Sequence, residues 1–445
     1  MATTIDSQFP DMPSAPTGLR RWVRDVDVDR AVLPLTIVFL TYGTRDALTG
    51  VFRYWLPKFH LAGAWFVPDF MSFLVVAYFV WVLAIRRQSA WAILFSISVF
   101  VSAILGWIFM ASSAVALLSS VKLMSPMFVG LAFAGRSIAD RKWACYFMFM
   151  LAVVSTVGLL CSPLFDYPWV GMAVETFGQT KAVGRVWWSG GAIRYGGFAG
   201  DSTMAAYMCL FPLVIVHRHI SPKLVLLMAG PVGLALHLST SKTAIGCGVL
   251  FAAYYLFVVL PGLRKDDGDR RRELTRLFAK WSFVLVPVPF ILMLALGGTD
   301  LTKIDPMLFS MQDRINNTWT FPFTYLGQNF PIGLITGCGL GCFTYPMEYT
   351  QLAYLMVPVD NFYVATYVML GVPFILFVIG MFTATIKSMD NEKLTLMALL
   401  NVYVITVQCY GPSTATIVMG YAFSDMFLNH TRQWKRRHRA GSAAG

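Results

Sequence analysis

Residues 91–117 read WAILFSISVFVSAILGWIFMASSAVAL and contain no charged side chain. A helix needs roughly 20 apolar residues to cross the hydrocarbon core of a bilayer, so this run is long enough. Strands of a membrane barrel would alternate apolar and polar residues with period two, and this run does not. Because lipid offers no partner to backbone N–H and C=O groups, the run predicts a transmembrane helix.

The composition extends this prediction to the whole chain. It is 57% hydrophobic and only 13% charged, whereas soluble domains carry about 25% charged residues. We predict one all-α integral membrane domain over residues 31–430, with about twelve transmembrane helices and no second soluble domain. The predicted spans are 31–48, 64–85, 89–117, 119–134, 143–163, 198–217, 222–239, 241–262, 281–298, 361–386, 394–410 and 411–430.

Basic residues predict the orientation, because Lys and Arg are in excess in cytoplasmic loops. If both termini are cytoplasmic, most of the 35 Lys and Arg fall on that side, including the loop 263–280 and the basic tail 431–445. Residues 1–30 have no apolar core and predict a disordered cytoplasmic leader, not a cleavable signal peptide. The net charge of +12 fits anionic lipid and does not require nucleic acid.

Two long segments, 164–197 and 299–360, then lie on the outer side of the membrane. A long loop between membrane spans indicates function. Both segments contain arginine, glycine, and tryptophan or tyrosine. Arginine suits phosphate, and the aromatic rings suit sugar. The candidate contacts are Arg185, Trp187, Trp188, Arg194 and Gly197 in the first, and Arg314, Trp319, Tyr345, Tyr349 and Asp360 in the second.

The stretch Arg194-Tyr-Gly-Gly197-Phe-Ala-Gly200-Asp201 precedes an apolar span. Asp201 can cap that helix, and glycines let a ligand approach the backbone. A helix N-terminus favours an anion, and an arginine beside it adds a permanently charged donor fork. The pattern predicts an anion site; the alternative is a capped helix with an interfacial arginine whose charged end reaches water.

Arg314 has two interpretations. Asp313 can neutralise it in a surface ion pair, which contributes only about 0–1 kcal/mol. Alternatively Arg314 folds back over a membrane cavity as a second phosphate ligand.

Lys242 lies in the turn 239–243 and either reaches water or places its charge in a polar cavity. Ionisable groups at membrane depth are costly and often functional.

Asp360 and Asn361 stand directly before an apolar span. Asp360 can be the N-cap of that helix or a general base near the outer leaflet, and the two roles can coexist.

Cys338 and Cys342 lie on the outer side, where either a disulfide or packing between glycines is possible. No CxxC motif or His/Cys cluster indicates a metal, so we predict neither a metal nor a cofactor.

The order of these features resembles the O-antigen ligase and Wzy-type polymerase superfamily, over about residues 190–375. The features that carry the resemblance are Arg194-x-Gly-Gly before a span, the Ser241-Lys242 turn, a cytoplasmic basic loop, an outer loop with Arg314 and Trp319, the run Pro331-x-Gly…Gly337-x-Gly-x-Gly-x-Phe343, and Asp360-Asn361-x-Tyr363 followed by Gly371. Lys242 stands where many members have arginine, and Asp360 stands where the ligases usually have histidine.

The resemblance implies a GT-C-type glycosyltransferase of the bacterial inner membrane that acts on its periplasmic side. It implies undecaprenyl-pyrophosphate-linked oligosaccharide as substrate, membrane lipid as surroundings, and a flippase and a chain-length regulator as pathway partners. By position, Arg194 and Arg314 would hold the pyrophosphate and Asp360 would replace the ligase histidine. Lys242, Asp201 and Asn361 join the outer-segment residues named above as substrate contacts.

Three functions follow from these observations. The first is a polymerase that joins lipid-linked repeat units into an exopolysaccharide or O-antigen-like chain, which the acid at Asp360 favours. The second is an O-antigen ligase that transfers the glycan to a lipid A core. The third is a flippase for lipid-linked sugars, which should show repeated halves and polar groups spread along several spans.

Overall fold

A computed structural model describes residues 31–185, 187–189, 192–261, 268–305 and 308–428. The described chain is mostly helical, and its strands form two small antiparallel hairpins. The prediction of an all-α membrane protein is confirmed in this coarse form. The leader 1–30 and the tail 431–445 lie outside the described residues, as does part of the predicted cytoplasmic loop.

The α-helices of the described residues are α1 (Val32–Ala47), α2 (Thr49–Lys58), α3 (Val67–Phe79), α4 (Ala90–Phe109), α5 (Ala114–Leu131), α6 (Lys142–Cys161), α7 (Ser202–Val216), α8 (Pro222–Leu238), α9 (Lys242–Tyr254), α10 (Gly268–Trp281), α11 (Val288–Leu296), α12 (Phe309–Asp313), α13 (Thr320–Asn329), α14 (Gly333–Thr336), α15 (Phe362–Leu370), α16 (Pro373–Lys387), α17 (Asn391–Tyr403) and α18 (Ser413–Phe423). Both hairpins belong to the first outer segment. Strand β1 (Ala173–Thr176) pairs with β2 (Gln179–Ala182), and β3 (Trp187–Ser189) pairs with β4 (Ala192–Arg194).

Six helical stretches of the described chain are long and apolar enough to cross a membrane. They are Ala62–Arg86, Ala90–Phe109, Ala114–Leu131, Lys142–Cys161, Lys242–Val259 and Asp269–Leu296. Other predicted spans are shorter or broken. The span predicted at 361–386 is divided at Gly371, whose φ of +63° ends α15 after nine residues. The six stretches are therefore established as candidates, and the remaining crossings stay a prediction.

Close helix packing depends on glycine at the contact between α5 and α18. A Cβ added at Gly130 would overlap the backbone of Ile417 and Tyr421, and one added at Gly420 would overlap the backbone of Met127. Small residues let helix backbones approach when lipid supplies no hydrophobic force between them. These two glycines therefore bring the two helices into direct backbone contact.

The second half of the glycine-rich run 331–341, predicted as part of an outer loop, is buried in the helical domain over residues 337–341, whereas Ile332 and Ile335 are exposed. Leu340 N–H donates to the Ser102 carbonyl at 2.8 Å, and Cys338 N–H donates to the Val368 carbonyl at 2.9 Å. The run therefore lies between α4 and α15, where its backbone groups find helix partners. A disulfide joins the buried residues Cys338 and Cys342, which resolves the choice that the sequence left open.

Candidate functional site

Arg194 is the last residue of β4, where it pairs with Trp187 of β3. The next residue, Tyr195, donates its N–H to the Leu238 carbonyl at 3.3 Å, which fixes the strand beside the C-terminal end of α8. The guanidinium Nε of Arg194 is buried and has no hydrogen-bond partner within the described part of the chain. Arg194 is therefore a positioned cation with an unused donor.

The turn after Arg194 packs against α6. Gly197, with φ of +56°, lies against the backbone of Gly158 in α6, and its carbonyl accepts the Trp169 indole N–H at 3.0 Å. Asp201 caps α7, since its Oδ1 accepts the N–H groups of Thr203 and Met204. The predicted cap at Asp201 is confirmed. The predicted ligand contact at Gly197 is corrected, because that residue is buried against a helix.

Arg314 lies where α12 passes into a turn of π-helix, Arg314–Thr318, that leads to α13. Its Nη1 donates to Ser310 Oγ at 2.9 Å, and its Nη2 lies 3.8 Å from Asp360 Oδ2. Asp313 instead accepts a hydrogen bond from Asn317 at 2.7 Å. The described structure does not contain the surface pair of Arg314 with Asp313. Arg314 pairs instead with Asp360, which is distant in the sequence.

Asp360 is not the helix cap. Asn361 caps α15 by accepting the Val364 N–H at 2.8 Å, and its amide donates to the Ile405 carbonyl at 2.8 Å. Asn361 is fully buried, so its predicted substrate contact is corrected to a structural role. The Asp360 carboxylate is left beside the turn, with 45% of its side chain accessible.

Arg194 and Arg314 both act on the charge of Asp360. Desolvation by the surrounding protein raises the pKa of Asp360, the positive charges of Arg314 and Arg194 lower it, and Asp313 raises it. The net effect is a pKa above the ordinary value of aspartate. Arg314 therefore pairs directly with Asp360, whereas Arg194 forms no ion pair with it in the described structure and acts on the same carboxylate only through its charge. We call these three residues the Arg194–Arg314–Asp360 cluster.

Lys242 is the first residue of α9. The hydroxyl of the next residue, Thr243, contacts the hydroxyl of Thr406. Thr406 follows Ile405, whose carbonyl accepts the hydrogen bond from the Asn361 amide. Residues 404–412 therefore connect the start of α9 with the start of α15. The Lys242 side chain is exposed, and in the described structure it makes neither an ion pair nor a hydrogen bond.

The aromatic candidates are divided among several environments. Trp319 is 0% exposed and belongs to the core, which corrects its prediction as a sugar-stacking surface. Trp188, at 65% exposure, and Arg185 lie on the surface of the first outer segment, whereas the side chain of Trp187 lies outside the description. Tyr345 and Tyr349 face Lys181, whose Nζ lies 4.6 Å and 4.9 Å from their ring centroids. Within the described chain, no contact joins these two tyrosines to the Arg194–Arg314–Asp360 cluster.

An apolar cleft of about 230 Å³ lies between α7, α8 and α9. Its walls are almost entirely aliphatic, with Leu213, Val232, Leu236 and Val249 among them. Leu236 is two residues before Leu238, whose carbonyl holds the strand that carries Arg194. The cleft therefore shares α8 with the strand that carries Arg194.

A second ionic cluster was missed from the sequence. Arg45 donates to Asp69 Oδ1 at 2.9 Å, and Lys122 Nζ lies 3.0 Å from Asp69 Oδ2, so three helices share one carboxylate. Arg45 also lies 3.5 Å from the neighbouring carboxylate of Asp46, which joins this network. A lysine inside an apolar run was the available signal, since such a group needs a partner.

The residues described in the structure contain no group of three or more His, Cys, Asp or Glu placed to hold a metal ion. Searches of protein-family models, of curated proteins and of solved structures found no match to this chain.

Proposed function

We propose that the protein is a membrane polysaccharide polymerase. It would transfer a growing glycan from undecaprenyl pyrophosphate to the end of an incoming lipid-linked repeat unit. The observation that carries the proposal is the pairing of Arg314 with the half-exposed carboxylate of Asp360 at 3.8 Å, with the charge of Arg194 acting on the same carboxylate. These are the cations and the base that such a transfer needs.

The arginines would stabilise the leaving group. When the bond between the anomeric carbon and the pyrophosphate oxygen breaks, its electron pair goes to the pyrophosphate. Fixed cations in a site of low dielectric stabilise that charge without reorganisation, and one good donor is typically worth ~3–4 kcal/mol of barrier. Arg194 is only partly buried, and its guanidinium forms neither an ion pair nor a hydrogen bond within the described structure.

Asp360 would act as the general base. The acceptor hydroxyl oxygen forms the new bond to the anomeric carbon as its proton passes to the carboxylate, so that the charges balance. A positioned base of this kind contributes roughly 10²–10⁴-fold. Desolvation raises the pKa of Asp360, which makes it a stronger proton acceptor than an ordinary aspartate.

The surroundings are compatible with a lipid-linked substrate. The cleft between α7, α8 and α9 supplies an apolar wall for a polyprenyl chain. The full proposal includes a GT-C-type arrangement of about twelve spans with cytoplasmic termini in a bacterial inner membrane. A flippase that delivers substrate and a regulator of chain length would be its pathway partners.

The test uses purified full-length protein in nanodiscs with lipid-linked repeat units. We expect a ladder of longer glycans on the lipid carrier, with loss of the ladder in Arg194→Ala and in Arg314→Ala. Lys303→Ala is a matched control, because Lys303 is an exposed cation of the same outer segment. Transfer only to an added lipid A core would indicate a ligase. Movement of the lipid across vesicles without any product would indicate a flippase.

A further inference from the structure

A cavity of about 520 Å³ lies apart from the arginines, where three outer segments meet. Its walls are the turn between α4 and α5, the tip of the β1–β2 hairpin, and residues 348–351. Its volume is within the range of about 300–1,000 Å³ that is usual for ligand sites. We infer that this cavity binds neutral sugar units of the glycan; the inference rests on the proposed function of glycan transfer.

The polar groups of the cavity suit sugar hydroxyls. The side-chain amides of Gln179 and Gln351 line it and make no hydrogen bond within the described structure. Glu348 uses Oε2 for Lys181, at 3.2 Å. An amide offers a donor and an acceptor side by side, and a carboxylate offers two acceptors. Neighbouring hydroxyls on a sugar ring, each a donor and an acceptor, match such planar groups.

An aromatic surface completes the cavity. Phe177 stands at the hairpin tip with 59% of its surface exposed, and its ring lies edge-on to Tyr349 at a centroid distance of 6.4 Å. The C–H face of a sugar ring packs on such a ring while its hydroxyls remain free for the amides.

The cavity and the Arg194–Arg314–Asp360 cluster differ in charge. Glu348 is its one charged lining residue, and Lys181 neutralises it. A pyrophosphate would meet a carboxylate and no arginine here, so the anionic head group is disfavoured. The cavity therefore fits the uncharged part of the substrate, and the arginines fit the charged part.

The test measures saccharide binding without catalysis. The probe is the glycan pool that mild acid releases from the lipid extract of cells making the protein, labelled with a fluorophore at the reducing end. Fluorescence anisotropy follows its binding to full-length protein in nanodiscs. We expect saturable binding that weakens about tenfold in the double variant Gln179→Ala/Gln351→Ala, because each amide hydrogen bond typically contributes a several-fold effect.

Two controls separate this inference from the proposed function. Gln328→Ala removes an exposed glutamine that does not line the cavity, and it should bind like the parent protein. Arg194→Ala should keep saccharide binding while losing polymerisation. Unchanged affinity in the double variant, or no saturable binding to the parent protein, overturns the cavity assignment. Neither result bears on the polymerase, which the glycan-ladder assay tests. A failed ladder with intact saccharide binding overturns the polymerase alone.

Discussion

Asp360→Asn is the substitution that tests the mechanism most directly. It keeps the size of the side chain and removes its charge and its basicity. Loss of the proton acceptor should lower kcat by roughly 10²–10⁴-fold. Folding should be spared, because Asn361 and not Asp360 caps α15.

The effect on substrate affinity can be worked out from the ion pair. Arg314 and Asp360 lie 3.8 Å apart, and 45% of the Asp360 side chain is accessible, so solvent screens the pair. A pair of this kind contributes about 0–1 kcal/mol. Removing the carboxylate frees Arg314 for pyrophosphate, so KM should fall by at most about fivefold, the factor equivalent to 1 kcal/mol. A large loss of kcat with an equal or lower KM is the expected signature.

The pH profile gives a second readout. The carboxyl must be ionised to accept a proton, so activity should fall as pH decreases through the pKa of Asp360. That pKa lies above the ordinary aspartate value because burial disfavours the charged form. Asp360→Asn should abolish this acidic limb. A variant that keeps kcat within about threefold, or the same acidic limb, would remove Asp360 from the role of base.

Three further outcomes are expected. Arg194→Ala and Arg314→Ala should each lower ladder synthesis by about 10²–10³-fold at normal expression, measured by gel analysis of the glycans, and full activity from either would contradict the leaving-group role. Gly130→Ala should destabilise the protein by about 1–3 kcal/mol in detergent melts, because its Cβ would overlap α18; Gly246→Ala in α9, with no atom near its added Cβ, should be tolerated. Asp69→Asn should cost about 3–5 kcal/mol, because it leaves buried cations without their shared carboxylate, and an unchanged melting temperature would refute that network.

Local patterns in the sequence were sufficient for the fold class. An uncharged apolar run such as 91–117 has no stable form in lipid other than a helix, so α4 could be predicted. The prediction of one span over the whole run was wrong, because α4 ends at Phe109 and Ser113 caps α5. The Asp201 cap was equally predictable, because it depends on N–H groups two and three residues away. The break at Gly371 was not, since the left-handed turn there is imposed by the packing of the 331–341 run against α15.

The site shows the same division between local and distant causes. Residue type identified Arg194, Arg314 and Asp360 as candidates, because few other groups can hold a pyrophosphate or accept a proton. Their convergence was decided by tertiary contacts, namely the strand beside α8, the turn of π-helix and the loop 404–412. The assignment of Trp319 to the core and of Asn361 to the cap followed from the same packing. A sequence determines which chemistry each side chain can perform, but the distance between two charges depends on how helices remote in the chain pack, which no local pattern contains.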